Sequence, residues 1–166
     1  MVDTILVWAQ TENGTIAMNG EIPWREKADM RFFREITQNQ VVVMGRHTMQ
    51  SFHGRPLPHR TNLVLSHDKS LVVPEGFQVV HSIDEAKTIA SQQNQKLMVI
   101  GGKAIYESFM PDATQLYVTY LNTDFTGDVM MAPVDKTIWQ GESIRLGHAD
   151  DENDFDYEII KYSRRK

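Results

Sequence analysis

The chain has 166 residues, of which 41% are hydrophobic and 23% charged, a composition that fits one globular domain and excludes a disordered or fibrous protein. Its net charge of −5 argues against general binding to nucleic acid. No apolar run reaches the roughly 18–20 residues that span a bilayer, and the lack of cysteine excludes disulfides and thiolate metal sites, so we expect a cytoplasmic protein.

The first predicted elements are a buried strand and a long loop. Residues 5–9 form a short apolar run between polar residues, which is typical of a strand buried on both faces. The loop at residues 10–26 contains the turn-forming pair Asn19-Gly20 and also Pro23, which a helix interior tolerates poorly. Because loops of this length in compact domains are usually functional, we predict a lid here.

A helix is predicted over residues 27–37. It carries one acid, Asp29, on an otherwise apolar face with Met30, Phe33 and Ile36. Two interpretations of Asp29 are open. The helix dipole favours an acid in the first turn by about 0.3–1 kcal/mol, which would be a purely structural role. The same carboxylate, close to Trp24 in the loop, could instead bind a ligand.

The remaining chain alternates between strands and helices. Strands are predicted at residues 41–44, 61–65, 77–80, 97–100 and 115–121, and helices near residues 48–52, 82–91 and 103–110. Ser82, with Glu85 three residues later, has the pattern of a capping box. Strand character returns at residues 138–146 and 157–163. The acid-rich loop between them, residues 150–156, is interpreted as a solvated hairpin tip without a function.

This alternation predicts the fold. Strands that alternate with helices imply parallel pairing through right-handed crossovers, with helices on both faces of the sheet. The last two strands are joined without a helix and should be antiparallel. We therefore predict a single α/β domain over residues 1–166, with a central, mostly parallel eight-stranded sheet, flanking helices and an antiparallel C-terminal edge.

Three segments lie where open α/β sheets bind ligands, beyond the carboxyl ends of strands. They are Gly45-Arg46-His47-Thr48, Ser66-His67 and Gly101-Gly102. Glycine lets the backbone approach a ligand closely, and a helix N-terminus offers free N–H groups to a phosphate. Arg46 adds a rigid donor fork and His67 a further donor, although His67 alone fits a surface loop histidine better. Together these features favour a phosphate site.

The charge distribution and the absence of other motifs narrow the chemistry. Residues 36–74 contain four basic residues and one acid, which suits either an anionic small molecule or an uneven solvated surface. Within this stretch, Arg60 could meet a substrate carboxylate or pair on the surface. There is no nucleophile elbow and no His-Glu-x-x-His metal motif. One carboxylate and an anion-binding scaffold suit protonation with cofactor chemistry better than hydrolysis.

Six motifs follow one another along almost the whole chain. They are Ile22-Pro23-Trp24 followed by Asp29, Met44-Gly45-Arg46-His47-Thr48, Gly54-Arg55-Pro56-Leu57-Pro58, Arg60-Thr61-Asn62, Met98-Val99-Ile100-Gly101-Gly102 followed by Tyr106, and Gly127-Asp128. In this order and spacing they resemble the bacterial type of the dihydrofolate reductase family. The resemblance implies reduction of 7,8-dihydrofolate to 5,6,7,8-tetrahydrofolate by hydride transfer from NADPH. From the residues themselves we expect a monomer, because the sequence shows no unexplained apolar face, with no nucleic-acid or membrane partner and no metal.

The resemblance also implies roles in the pterin pocket. Asp29 would pair two-pronged with the pterin, and apolar surroundings would raise its pKa. Thr119 would brace Asp29, Trp24 would position an ordered water, and Ile22 would complete the catalytic group. The other implied substrate contacts are Trp8, Ala9, Met30, Phe33, Phe52, Leu57, Ile100, Tyr106 and Arg60, the last holding the α-carboxylate of the glutamate tail. For Trp8 itself, a buried strand position indicates mainly a core residue.

NADPH contacts are implied in the same way. Arg46, Ser66 and His67 would surround the adenosine ribose and its 2′-phosphate. The pyrophosphate would be bound by Thr48, Gly101-Gly102 and Lys103, and the nicotinamide by Ala9 and Ile16. Further implied cofactor contacts are Asn19, Gly20, Gly45, His47, Leu65, Ile100, Ala104 and Tyr106. The lid at residues 10–26 would be latched by Asp128 to backbone groups near Ala17 and Asn19.

Two alternatives remain beside this interpretation. A related pterin- or pyrimidine-directed reductase on the same fold would need a different pocket acid, and Asp29 with Arg60 argues against it. A non-catalytic nucleotide- or folate-binding module could keep Arg46 and Gly101-Gly102 but would have no need of an Asp29–Thr119 pair. Substrate-dependent turnover distinguishes the reductase from both.

Overall fold

The computed structural model describes residues 2–166. The strands are β1 Thr4–Thr11, β2 Thr15–Ala17, β3 Val41–Met44, β4 Thr61–Leu65, β5 Phe77–Val80, β6 Leu97–Val99, β7 Gln115–Leu121, β8 Val129–Met130, β9 Trp139–Gly147 and β10 Tyr157–Arg164. The helices are α1 Lys27–Thr37, α2 Arg46–Ser51, α3 Ile83–Gln92 and α4 Lys103–Phe109, the last continued by a 3₁₀ turn at Met110–Asp112. No helix among residues 2–166 has the length and apolar character needed to cross a membrane.

Eight of the strands form one sheet in the order β5-β4-β3-β6-β1-β7-β10-β9. The pairs β5–β4, β4–β3, β3–β6 and β6–β1 are parallel. In contrast, β10 is antiparallel to both of its neighbours, β7 and β9. The predicted α/β fold, with an eight-stranded, mostly parallel sheet and an antiparallel C-terminal edge, is confirmed.

Most predicted element boundaries agree with the structure, and two predictions need correction. The lid loop contains a strand, β2, which pairs antiparallel with β8 in a separate two-stranded sheet. Both strands are too short for their side-chain pattern to show a period. In addition, α2 begins at Arg46 rather than near Thr48, because Gly45 is already its N-cap. Arg46 and His47 therefore belong to the first turn of that helix.

The chain divides into two compact units. The first comprises the chain up to Leu6 together with Ile36–Ala113. Its core is built from the central strands, and every residue of β3 is fully buried. Continuous apolar runs are what a parallel strand requires when both of its faces are covered. This explains why the strands of this unit can be recognised from sequence.

The second unit comprises Val7–Glu35 and Thr114–Lys166. Its helix α1 buries Phe32, which is 4% exposed and whose ring meets the edge of the Tyr117 ring at a centroid distance of 5.7 Å. On the face of α1 that carries Asp29, Met30 is 63% exposed and Phe33 is half-buried, so neither side chain is part of the core. The helix is thus rotated so that Phe32, rather than Met30, points into the core.

Candidate active site

Asp29 and Thr119 meet inside the second unit. Asp29 is the third residue of α1, and Thr119 lies on β7, where it is 2% exposed. The hydroxyl Oγ1 of Thr119 donates a hydrogen bond of 2.6 Å to Oδ1 of Asp29. The predicted pair is therefore confirmed as a direct contact. A carboxylate has about four acceptor positions, so this one bond leaves room for a two-pronged contact with a ligand.

The surroundings of Asp29 change its acidity. Burial raises the pKa of this carboxyl above its ordinary value, while the hydrogen bond from Thr119 acts in the opposite direction. By surface area the residue is only half-buried, yet protein atoms surround the carboxyl closely enough for desolvation to dominate. The predicted direction of the shift is confirmed. A raised pKa keeps a larger fraction of the acid protonated near neutrality.

We expect Thr119→Val to raise the pKa of Asp29 further. The substitution keeps the branched shape of the side chain but removes the hydroxyl that donates to Oδ1. A hydrogen bond to a charged group contributes about 1.5–3 kcal/mol, which corresponds to about one to two pH units. Carboxyl-carbon NMR titration measures the change. Thr61→Val on β4, whose hydroxyl bonds Gln93, is the control. An unchanged titration of Asp29 in Thr119→Val would contradict the prediction.

Four other residues of the predicted site, Trp8, Ala9, Ile22 and Trp24, belong to the second unit and lie in different environments. Trp8 is 5% exposed, and its Nε1 donates to Oε1 of Gln10 at 2.9 Å, so its interpretation as a core residue is confirmed. Ala9 and Trp24 are half-buried. Ile22 is 68% exposed, which leaves its side chain free to contact a ligand.

The lid is held by the segment around Asp128. Oδ2 of Asp128 accepts a hydrogen bond from the amide of Asn19 at 3.0 Å, and the amide of Asp128 donates to the carbonyl of Ala17 at 3.2 Å. The predicted latch contacts are confirmed. The neighbouring Gly127 permits this approach, because a Cβ at that position would stand 2.3 Å from the carbonyl oxygen of Ala17. Ile16 is half-buried in β2, whereas Asn19 and Gly20 are exposed.

The acid-rich loop at residues 150–156 docks on the start of α1. Oδ1 of Asn153 accepts from the amide of Ala28 at 2.9 Å, and the carbonyl of Glu152 accepts from the amide of Lys27 at 3.1 Å. The loop thereby satisfies amides that a helix start leaves without intrahelical partners. The loop forms the tip of the β9–β10 hairpin, as predicted, but it is not solvated throughout, because Asn153 is only 5% exposed. Its charge pattern indicates polarity, but it carries no signal for a partner 125 residues away.

Glu26 is a buried acid that sequence reasoning missed. It is 3% exposed and directly precedes α1, and its Oε1 accepts a hydrogen bond from the amide of Phe155. Its other oxygen, Oε2, is buried and has no hydrogen-bond partner among residues 2–166. Desolvation raises the pKa of Glu26 to about 7; the Phe155 amide lowers it, and nearby carboxylates raise it further. A polar loop residue outside any motif gives no sequence signal of this kind.

In the first unit, the two predicted glycine turns come together. The amide of Gly45 donates to the carbonyl of Gly101 at 2.8 Å, because β3 and β6 are neighbours in the sheet. Gly101 has a φ of +121°, which favours glycine, and its peptide bond to Gly102 is cis. Gly45 and Gly102 are the N-caps of α2 and α4, and neither helix start has a side-chain cap. Backbone amides of both turns thus lie beside one another.

Basic and polar groups follow β3 and β4 in the same unit. Arg46 and His67 are exposed, and the hydroxyl of Ser66 accepts from the amide of Asp68 at 3.1 Å. Hydrogen bonds from Ser70 hold the pKa of Asp68 below its usual range, with smaller contributions from Arg46 and His81. Arg46 therefore lies close to the segment after β4. His81, whose Nδ1 bonds the carbonyl of Ser66 at 2.8 Å, was not predicted.

The remaining predicted cofactor residues are distributed over the turns and helices of this unit. Thr48, Ile100 and Gly102 are half-buried, Leu65 and Tyr106 are buried, and His47, Lys103 and Ala104 are exposed.

A buried amide positions the loop that carries Leu57 and Arg60. Asn62 is 2% exposed; its Oδ1 accepts from the amide of Leu57, and its Nδ2 donates to the carbonyls of Leu57 and Arg60, all at 3.0 Å. The guanidinium of Arg60 is oriented in turn by Oγ1 of Thr37 and the carbonyl of Pro58, both at 2.9 Å. Asn62 was part of a recognised motif but had no predicted role. Its signal is an amide inside an otherwise apolar strand.

Comparisons with known proteins agree over nearly the whole chain. A family model described as "Dihydrofolate reductase" matches residues 3–164. The dihydrofolate reductase of Enterococcus faecium is 33% identical over 96% of this chain and 96% of its own length. Dihydrofolate reductase type 3 of Salmonella typhimurium is 35% identical over 97% and 98%. A solved structure of dihydrofolate reductase from Enterococcus faecalis, complexed with NADP(H) and RAB-propyl, superimposes with a TM-score of 0.86 at 30% identity, over 99% of this chain and 97% of that one.

Proposed function

The chain belongs to the dihydrofolate reductase family, and we propose that Asp29 is the acid with which it reduces 7,8-dihydrofolate to 5,6,7,8-tetrahydrofolate. The enzyme is an NADPH-dependent oxidoreductase. One observation carries the assignment of Asp29: its carboxyl is desolvated enough to have a raised pKa and is held by Oγ1 of Thr119 at 2.6 Å. A surface acid that only complements the helix dipole would need neither feature.

Asp29 orients the substrate. Its carboxylate pairs with the 2-amino group and a ring N–H of the pterin, and charge-assisted bonds of this two-pronged kind fix the ring in one plane. Fixing the reacting atoms removes much of the entropic part of the barrier. The negative charge of Asp29 also favours protonation of the ring nitrogen next to the carbon that receives the hydride. Trp24 positions the water that delivers this proton, and Ile22 covers that water.

The residues of the first unit fit a dinucleotide. Gly45 and Gly101 bring two backbone turns within hydrogen-bond distance, and neither α2 nor α4 has a side-chain cap to compete with a pyrophosphate. Thr48, Gly102 and Lys103 bind the pyrophosphate there. Arg46, Ser66 and His67 surround the ribose with its 2′-phosphate. NADPH, when bound, supplies the hydride.

The remaining contacts bind the outer part of the substrate. Arg60 holds the α-carboxylate of the glutamate tail, because its guanidinium is already oriented by Thr37 and the Pro58 carbonyl. Phe33, Phe52 and Leu57 pack against the rings. The lid over Ile16 and Asn19 excludes water during transfer, which strengthens the electrostatic contacts inside the site.

NADPH oxidation by the purified protein, with and without dihydrofolate, tests the proposed function. We expect oxidation that depends on dihydrofolate and is saturable in it. Tight NADPH binding without this dependence would instead identify a binding module. Turnover of another pterin in place of dihydrofolate would identify the related reductase.

We expect Arg46→Ala to weaken NADPH binding about 10–100-fold and to leave NADH binding almost unchanged. The side chain would lose charge-assisted bonds to the 2′-phosphate, each of which contributes about 1.5–3 kcal/mol. Fluorescence titration of the protein with each nucleotide measures the difference. Arg55→Ala, which removes another exposed arginine of the same unit, is the control. Equal losses for the two nucleotides would remove Arg46 from the 2′-phosphate site.

We infer that the enzyme acts as a monomer in the cytoplasm. The chain has no cysteine, as is common for proteins of a reducing compartment. The two most exposed of its large apolar side chains, Val72 at 87% and Leu146 at 73%, belong to different units. Sedimentation equilibrium at micromolar concentration tests the oligomeric state, and a dimer would contradict this inference.

A further inference from the structure

Glu26 occupies a position between the catalytic acid and the 150–156 loop. Glu26 immediately precedes α1 and lies about one helical turn before Asp29. Its backbone carbonyl accepts a hydrogen bond of 3.2 Å from the amide of Met30. On the other side, its Oε1 accepts the amide of Phe155, and Glu26 forms an isolated antiparallel bridge with Asn153. One buried carboxyl thus connects the helix that carries Asp29 to the loop that covers the start of this helix.

The charged groups around Glu26 give its carboxyl no cationic partner among residues 2–166. Arg31 and Lys27 approach Glu152, at 2.9 Å and 3.8 Å, and the guanidinium of Arg25 donates to the carbonyl of Asp151. The groups that act on Glu26 are instead carboxylates, namely Asp154, Asp29 and Asp150.

Two of these three carboxylates already accept backbone amides. Oδ2 of Asp154 accepts the amide of Arg25 at 2.7 Å, and Oδ1 of Asp150 accepts the amides of Glu152 and Asn153 at 2.8 Å and 2.9 Å. These hydrogen bonds from Glu152 and Asn153 hold the pKa of Asp150 below its usual range. The other oxygen of Glu26, Oε2, is buried and has no hydrogen-bond partner among residues 2–166. Ionisation of Glu26 consequently adds a negative charge beside Asp29.

We propose that Glu26 is a positioning residue for Asp29, which fastens the 150–156 loop to the start of α1 and whose ionisation is linked to that of Asp29. Coupling of two ionisable groups is reciprocal: if the charge of Asp29 disfavours ionisation of Glu26, then a charged Glu26 raises the proton affinity of Asp29 by the same free energy. The inference rests on the proposed role of Asp29 in hydride transfer. It predicts that the reductase has two linked ionisations where Asp29 alone would give one.

The test titrates both carboxyls by carbon NMR in the protein without ligands and then follows the pH profile of hydride transfer. Glu26→Gln keeps an acceptor for the Phe155 amide and removes only the ionisation. Glu35→Gln, an exposed acid near the other end of α1 that pairs with Arg145 at 3.3 Å, is the matched control. If Glu26→Gln does not fold, Glu26→Leu and the titration of Glu26 in Asp29→Asn give the same answer.

We expect the midpoint of Glu26 to fall by about 0.5–1 pH unit in Asp29→Asn, the Coulomb repulsion of two like charges about one helical turn apart. The shared step in the Asp29 titration should disappear in Glu26→Gln and persist in Glu35→Gln. The pH profile of hydride transfer in Glu26→Gln should likewise show one ionisation fewer than the profile of the wild type. If Glu26 only held the loop, Asp29→Asn would leave the titration of Glu26 unchanged, and Glu26→Gln would leave the titration of Asp29 unchanged.

Independent titrations of the two carboxyls would overturn the proposal. A failure of the proposed function would look different: no dihydrofolate-dependent NADPH oxidation at any pH, while the two carboxyls still share a titration step.

Discussion

Replacing Asp29 by asparagine is expected to lower the rate of hydride transfer about 10²–10³-fold at pH 7. The amide keeps the shape of the side chain but loses the charge that pairs with the pterin and favours protonation of its ring nitrogen. Charge-assisted hydrogen bonds contribute about 1.5–3 kcal/mol each, and every 1.36 kcal/mol is a tenfold change in rate. Single-turnover kinetics with saturating NADPH measures the step directly.

The control for Asp29→Asn is Asp84→Asn, which removes an acid from the first turn of α3. Both substitutions lose a favourable interaction with a helix dipole, worth about 0.3–1 kcal/mol of stability. Only Asp29→Asn should slow hydride transfer, and neither should weaken NADPH binding. Unchanged turnover in Asp29→Asn would show that the carboxyl has the structural role alone.

The second large effect concerns stability. We expect Glu26→Leu to become more stable relative to the wild type as the pH rises from 5 to 8, by at most about 3 kcal/mol. The pKa of Glu26 is about 7 in the folded protein against an ordinary value of 4.5, so between these values the folded state binds more protons than the unfolded state. Stability from this group is therefore complete below about pH 4.5 and is lost as the pH rises through 7, at about 1.4 kcal/mol per pH unit.

Urea unfolding at a series of pH values measures the effect. Leucine fills a similar volume without an ionisable group, but it loses the hydrogen bond from the Phe155 amide. The difference in the free energy of unfolding between Glu26→Leu and the wild type should therefore change with pH. In Glu35→Gln, whose substituted side chain is 59% exposed in the wild type, the free energy of unfolding should change with pH in the same way as in the wild type. A constant difference between Glu26→Leu and the wild type over pH 5–8 would contradict the expected linkage.

The sheet was predictable because its signals are local. Each of β3, β4 and β5 begins and ends at its predicted residue. The clearest case is β3, where an apolar run between polar residues defines a strand whose four residues are all buried. Helix α1 was also placed at its predicted residues, but the sequence did not decide which of its aromatic side chains is buried. With Phe32 and Phe33 adjacent, either phase of the helical period was acceptable from sequence, and contacts with Tyr117 and Arg145 decide in favour of Phe32.

The site was predictable only in part. The contacts of Asp29 with Thr119 and of Asp128 with Asn19 followed from the resemblance to a family, and no spacing rule would have found them. Glu26 and Asn153 were missed because their significance depends on burial by segments more than 120 residues away. A polar residue in a polar loop has the same appearance whether it is solvated or enclosed.

The support of the catalytic acid has a consequence for how the protein is made. Thr119 follows Asp29 by 90 residues, Asn153 follows Ala28 by 125, and Phe155 follows Glu26 by 129. At a synthesis rate of about 5–20 residues per second, α1 leaves the ribosome roughly 5–25 seconds before its partners. Contacts this distant in sequence form slowly, because a long loop must close first. The nascent chain therefore carries Asp29 without its supporting contacts until Thr119, Asn153 and Phe155 have been synthesised, and activity should appear only in chains that extend beyond Phe155.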